Sequence, residues 1–383
     1  MSYDAEVAHY QRHGYVIFNK HLSADECQQL NAAALRSLFT LAFHEEPDPP
    51  EPNYENLELF ADPKLREQRL ANPRCIWRDG NTRQPLCSKS GGGMVDVHYL
   101  PEAQELLTMT HETFDKVAAC YGHQRITQRY GPERFSIKFP GSDDMPRHVD
   151  TNFIFSENNV SAERVQTLIA TNIDTEIDPA QSGTIALIPG FHHYYRHAAI
   201  FFHPQTGGYP IKVDNKRFMV LQSTGFDEGL AAFNTLLSEL YEIKAGKIEA
   251  DNWHRPYLDL PLVDDPYLPL AWTPIAMKPG DLICWTHWLP HQNLRCRSSQ
   301  PRIAFYVTYF EYDDDYIDSE QHRILVKTLK QGDYLRQTKE GDKVIDGRLE
   351  RQLLHPENEG PYYYWPKDSE EQSFAAKIQG LRL

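Results

Sequence analysis

Apolar and polar positions follow two different periods along the chain, and the change of period divides it. Near the N-terminus, Tyr15-Val16-Ile17-Phe18 follows Gly14 and reads as a short strand. Ser23 and Glu26 have the spacing of a capping box, and Leu30, Ala34, Leu38 and Leu41 then recur on one face of the helix it opens. Four prolines between Pro47 and Pro52 end that helix in a surface loop. Residues 54–90 carry no clear period. Ser90-Gly91-Gly92-Gly93 reads as a flexible loop, and it lacks the Lys-Ser/Thr ending that would cradle a phosphate. A second helix is expected over Pro101–Cys120, with Leu106, Leu107, Phe114 and Val117 in its core face.

From about residue 126 the pattern becomes strand-like. Phe135–Phe139, Phe153–Phe155, Val165–Asn172, Thr184–Ile188, Leu282–Trp285 and Ile303–Phe310 are short apolar or alternating runs separated by turn residues, as in an antiparallel barrel or sandwich. The stretch 199–268 interrupts this series and holds one good helix, Asp227–Lys244, with Leu230, Phe233, Leu237 and Leu240 in helical spacing. We expect a single catalytic domain, mainly β with flanking helices: an N-terminal helical and strand part (1–125), a core (126–310) with an insertion at 199–268, and a mixed, partly helical C-terminal extension (311–383). Tyr209, Phe218, Phe226, Trp253 and Tyr257 give the insertion apolar surface, suited equally to a lid, a structural elaboration or a dimer contact.

Composition narrows the class. The 54 acidic residues outnumber the 39 basic ones, for a formal charge of −15, which argues against broad binding to nucleic acid or an anionic membrane. Mean hydropathy is −0.59, and no apolar run approaches the ~18–20 residues of a membrane span. Cys27, Cys75, Cys87, Cys120, Cys284 and Cys296 are scattered without a CxxC pair, as expected of free thiols in a cytoplasmic protein.

The candidate chemistry lies in His148-Val149-Asp150 and the distant His291. Two imidazoles and a carboxylate make the facial triad that holds non-haem Fe(II) and leaves coordination positions open. Residues i and i+2 of an extended strand share a face, so His148 and Asp150 can grip one ion. His355-Pro356-Glu357 has the same form, but no histidine follows it. Arg302 opens the strand 11 residues after His291, where a guanidinium can pair bidentately with the distal carboxylate of a dicarboxylic cosubstrate. His287 competes with His291 as ligand, but its spacing to Arg302 is 15. His192, His193 and His197 cluster in sequence. Adjacent histidines on a strand point to opposite sides, which suits a turn, or a supporting role behind the metal ligands, better than one metal. Trp285 and Trp288 read as core or pocket wall. Lys138, on the strand approaching His148, and Gln166 are further candidates for contact with cosubstrate or substrate.

These residues carry a resemblance. Gly280-Asp281 through Trp285, Leu289-Pro290-His291-Gln292-Asn293 and Pro301 through Val307 resemble the C-terminal half of phytanoyl-CoA dioxygenase-like enzymes. Ser182-Gly183-Thr184 through His192 is similar to that family's central strand and turn. Tyr10–Phe18 followed by Leu22–Cys27 is similar to its N-terminal signature. The resemblance implies a double-stranded β-helix (jelly-roll) core, Fe(II), 2-oxoglutarate as cosubstrate and O2. It implies that His148, Asp150 and His291 bind iron and that Arg302 takes the 2-oxoglutarate C5 carboxylate. The span between His148 and His291 is long for the family because of the insertion, and Gln292 stands where relatives often have a small residue. The expected reaction is hydroxylation, or another oxidation, of a small-molecule C–H bond with release of succinate and CO2. The alternatives are oxidation of a modified nucleobase, which the acidic charge disfavours, and a non-catalytic jelly-roll that binds a ligand or partner.

Overall fold

The computed structural model describes residues 3–43, 46–60, 64, 76–79, 82–85, 92–96, 111–120, 122, 126–127, 134–150, 164–209, 219–221, 223–311, 334–338 and 341–345. The chain opens with α1 (Asp4–His13), β1 (Tyr15–Phe18) and α2 (Ala24–Phe43). Gly14 ends α1 in the left-handed conformation, φ 77°, where glycine carries no Cβ penalty. The capping box that opens α2 is formed: Ser23 donates from both N and Oγ to the Glu26 carboxylate at 2.7 Å, and Glu26 N donates back to Ser23 Oγ. Leu30, Ala34 and Leu38 are buried as their spacing requires.

The remaining strands are β2 (Ile76–Asp79), β3 (Thr82–Pro85), β4 (Gly92–Asp96), β5 (Ile126–Thr127), β6 (Arg134–Lys138), β7 (Arg147–Val149), β8 (Arg164–Asn172), β9 (Ile185–Leu187), β10 (Met219–Leu221), β11 (Thr273–Pro274), β12 (Leu282–Thr286), β13 (His291–Asn293), β14 (Arg302–Glu311), β15 (Tyr334–Thr338) and β16 (Gly341–Ile345). Helix α3 (His111–Cys120) precedes β5; α4 (Tyr195–Phe201) and α5 (Ser223–Lys244) flank β10. A seven-stranded sheet runs β1-β12-β8-β14-β6-β4, with β5 also on β14, and a five-stranded sheet runs β10-β7-β13-β9-β11. Every pairing in both is antiparallel, the arrangement of a jelly-roll.

Strand parity assigns the faces of the large sheet. Phe135, Ile137, Ile169, Leu282, Ile303 and Phe305 point one way and join the α2 side chains in one core cluster. Asn31 of α2 pins that helix to the sheet by donating to Thr171 O on β8 at 3.1 Å. Ser136, Lys138, Gln166, Trp285, Arg302 and Tyr306 lie on the opposite face, toward the second sheet. The Gly280-Asp281 turn locks the N-terminal segment to this sheet. The Asp281 carboxylate accepts from Lys20 N at 2.9 Å and Lys278 N at 2.8 Å. Gly280 has φ 90°, and a Cβ there would stand 2.3 Å from Leu22 O.

Several expectations are revised. Gly92 and Gly93 belong to an edge strand, not a loop: backbone pairing with Lys138 and Ile137 needs no side chain, so the apolar pattern gave no signal. The helix expected from Pro101 is seen over His111–Cys120; residues 101–110 lie outside the described residues, as do Phe153–Phe155. In the extension, Glu311 ends β14 and the other described residues form the β15–β16 hairpin; the rest lies outside them. The 199–268 segment contributes β10, which pairs with β7, so that Val220 lies opposite His148. Helix α5 stands on the far side of β7 from His148: Arg147 NH1 donates to Asp227 of α5, and Val149 shares a core cluster with Phe226, Leu230 and Phe233. Phe226 and Tyr257 are buried, Tyr209 and Trp253 are exposed, and Phe218 lies outside the described residues.

Candidate metal centre

Strands β7 and β13 are neighbours in the small sheet, with His148 directly opposite His291 and their ring centres 4.2 Å apart. Asp150 follows β7 and shares the face of His148. One ligand atom from each of His148, Asp150 and His291 lies within 4.8 Å of the others. His148 Nε2 is 3.7 Å from Asp150 Oδ1, and His291 Nε2 is 3.3 Å from Asp150 Oδ2.

Each imidazole is oriented by a backbone carbonyl two residues earlier: His148 Nδ1 donates to Pro146 O at 2.9 Å, and His291 Nδ1 donates to Leu289 O at 3.0 Å. A carbonyl only accepts, so Nδ1 carries a proton in each ring and Nε2 is the atom left facing the cluster. Burial disfavours the His291 imidazolium, but Asp150 and the Leu289 carbonyl outweigh it, and the His291 pKa is raised. The cluster therefore favours positive charge at its centre. Two imidazole nitrogens and one carboxylate form a donor set that fits Fe(II).

The large sheet supplies the opposite wall. Trp285 and Gln166 are paired across β12 and β8. The Trp285 indole meets the His291 ring edge-on at 5.5 Å, and Gln166 Nε2 donates to Asp150 Oδ2. Farther along this face, Tyr306 Oη donates to Asn293 Oδ1 at 2.9 Å.

Arg302 is almost wholly buried. Its Nε donates to Gly183 O at 2.9 Å and its Nη1 to Ser136 O at 3.3 Å, while Nη2 has no hydrogen-bond partner among the described residues. No carboxylate pairs with it among them. A buried cation with a spare donor is the complement of an anionic oxygen, so the residues present also fit the distal carboxylate of 2-oxoglutarate. Gly183 permits this seat: at φ 80°, its absent Cβ would lie 3.1 Å from the Arg302 Cβ.

Lys138 sits opposite Arg302 in the β6–β14 register. Its ammonium donates to Asp143 O at 2.8 Å, Asn293 O at 3.2 Å and Leu294 O. Those acceptors lie on the approach to β7 and the exit from β13, so Lys138 ties together the two segments that carry the histidines. Burial, and then the Arg302 charge, push its pKa down to about 7.

The other histidines lie elsewhere. His287 is buried against Trp288 and is not in the cluster. His192 Nε2 donates to Gln11 O at 3.1 Å and His193 Nε2 to Arg12 O at 3.0 Å, so this pair caps the C-terminal carbonyls of α1. His197 is buried beside Tyr194 and Tyr257, with neither ring nitrogen hydrogen-bonded among the described residues. The Tyr306–Asn293 pair was not singled out from sequence. Its signal was parity, since Asn293 is two residues from His291 and Tyr306 four from Arg302.

Among solved structures, AviO1 from Streptomyces viridochromogenes Tue57 shares 14% identity over 81% of this chain and 95% of its own, with a TM-score of 0.42. The epimerase SnoN from nogalamycin biosynthesis, solved with Fe3+, alpha-ketoglutarate and nogalamycin RO, shares 12% identity over 83% and 90%, with a TM-score of 0.43. EctD from S. alaskensis, solved with 2-oxoglutarate and 5-hydroxyectoine, shares 15% over 81% and 76%, with a TM-score of 0.41. No curated protein matches the chain. Family membership rests on the sequence itself: residues 10–304, more than three-quarters of the 383 residues, match the family model described as phytanoyl-CoA dioxygenase (PhyH). The chain therefore belongs to the phytanoyl-CoA dioxygenase family, a 2-oxoglutarate-dependent non-haem iron oxygenase on a jelly-roll core.

Proposed function

We propose that His148, Asp150 and His291 hold Fe(II), that Arg302 binds the distal carboxylate of 2-oxoglutarate, and that the enzyme hydroxylates or otherwise oxidises a C–H bond of a small molecule. The observation that carries this reading is the coincidence, on facing sheets, of a three-ligand cluster with a buried guanidinium that has a donor to spare. Bound together, Fe(II) and 2-oxoglutarate supply the oxidising power: the keto acid is converted to succinate and CO2 as O2 is consumed, and one oxygen atom enters the substrate C–H bond.

The protein's own part is positional. The Pro146 and Leu289 carbonyls fix the tautomer of each histidine, so both present Nε2 without rearrangement. Arg302 is held by two carbonyls before any ligand arrives, which reduces the ordering cost of binding. Lys138 fixes the spacing of the two ligand segments. The chain's −15 charge favours a small-molecule substrate over a nucleic acid.

Anaerobic titration of the protein with Fe(II) and then 2-oxoglutarate tests the site. A weak visible charge-transfer band at one equivalent is expected; its absence would overturn the assignment. A succinate-release screen over small acids, amino acids, acyl-CoA esters and modified nucleosides then tests the substrate class. Stimulation confined to modified nucleosides would sink the first three classes.

A further inference from the structure

We propose that Gln166 is a positioning residue for Asp150: its amide holds one carboxylate oxygen and so fixes the rotation of the carboxylate beside the two imidazoles. The inference rests on the reading of His148, Asp150 and His291 as the iron site.

The argument starts from the two oxygens of Asp150, which have different surroundings. Oδ1 is nearest His148 Nε2, at 3.7 Å. Oδ2 accepts from Gln166 Nε2 and lies 3.3 Å from His291 Nε2. A carboxylate with both oxygens free can turn about its Cβ–Cγ bond and grip a cation with both. A donor anchored on Oδ2 opposes that turn, because rotation would forfeit a charge-assisted hydrogen bond. The carboxylate is thereby held in the orientation that places Oδ1 by His148 and Oδ2 by His291.

Gln166 is well anchored for this task. It is the third residue of β8, a central strand of the large sheet, paired with Trp285 on β12 and Thr308 on β14. Its neighbour Trp285 leans on His291 at 5.5 Å. Adjacent residues of one cross-strand row thus support two different ligands of the small sheet. Asp150 needs such help more than the histidines do. It follows the last residue of β7, whereas His148 and His291 lie within paired strands and each has a carbonyl anchor. The role differs from direct contact with cosubstrate, the part that the sequence allowed Gln166.

The test compares wild type with Gln166→Met, which keeps the length of the side chain and removes the donor. Gln166→Ala serves as a second variant should methionine perturb folding. Each is titrated anaerobically with Fe(II) and then 2-oxoglutarate, and thermal unfolding of the metal-free proteins is recorded alongside. Outer-shell changes of this kind lower metal affinity by roughly 10–100-fold. We expect a loss in that range, a displaced charge-transfer band and slower 2-oxoglutarate-dependent succinate release, with metal-free Tm unchanged. A wild-type protein that forms the complex, with variants that match it in iron affinity and band position, overturns the role of Gln166 and leaves the iron site standing. A wild-type protein that forms no complex overturns the site itself, and this inference with it.

Discussion

His148 and His291 stand directly opposite each other on antiparallel neighbours, with Asp150 completing a cluster whose ligand atoms fall within 4.8 Å. Removing the carboxylate leaves two imidazoles and no compensating negative charge. Asp150→Ala should lower Fe(II) affinity by more than roughly 100-fold, beyond the loss expected from an outer-shell change, and abolish substrate-coupled succinate release. Isothermal titration with Fe(II) under argon checks the first and a succinate assay the second. Retained activity would remove Asp150 from the ligand set.

The cosubstrate contact proposed for Arg302 and its hydrogen bonds within the fold separate experimentally. Arg302→Lys keeps the charge but loses the planar fork. The apparent affinity for 2-oxoglutarate should fall roughly 10–100-fold, the value of a hydrogen bond to a charged group, while Fe(II) affinity is retained. Arg302→Ala additionally leaves the Gly183 and Ser136 carbonyls without their donor, and should destabilise the fold by about 1–3 kcal/mol per carbonyl. Urea unfolding measures the second effect, and an unchanged midpoint would contradict the hydrogen bonds described.

His197 lies outside the metal-ligand cluster and has no hydrogen bond on either ring nitrogen among the described residues. Burial lowers its pKa to about 4, and burial lowers that of His192 to about 3, both from 6.5. For such groups the folded state binds fewer protons than the unfolded one, so stability is full above pH 6.5 and is lost as pH falls toward the folded values. The urea midpoint should therefore drop between pH 7.5 and pH 5. His197→Phe should flatten that dependence and, at pH 7.5, be neutral or stabilising by about 1 kcal/mol. A loss above about 2 kcal/mol at pH 7.5 would show that the imidazole has a partner.

Gly280 is the tightest of the turn glycines that join the N-terminal segment to the large sheet. Alanine there meets both the positive φ and Leu22 O at 2.3 Å. Gly280→Ala should cost about 2–4 kcal/mol in thermal or urea unfolding. Gly246→Ala, also at positive φ but with open space around it, should lose only the conformational part, about 1–2 kcal/mol.

What was legible in the sequence followed strand and helix periodicity. His148 and Asp150 share a face because strands alternate, and Ser23 and Glu26 fix a helix start because both partners are local. The arginine could be placed because it opens a clear apolar strand. Features that depend on register between distant strands left no such trace. Lys138 meets carbonyls 5, 155 and 156 residues away, and nothing in its own neighbourhood encodes them. The Gly92–Gly93 segment pairs through its backbone with β6, and glycine leaves no apolar period to read. The tandem His192-His193 was legible as a turn, but not as the cap of a helix 181 residues upstream.

Strand β10 comes from the segment that interrupts the core in sequence, yet it lies beside β7. Without it, the backbone amides and carbonyls on that side of the His148 strand would be bare. Such a rim is a template for a neighbouring chain, and short strands with exposed rims are where sheets of different molecules zip together. A version pruned of residues 199–268 would therefore face self-association before any question of its chemistry arose. The interruption acts as a selvedge, finishing the fabric at the very strand that carries His148.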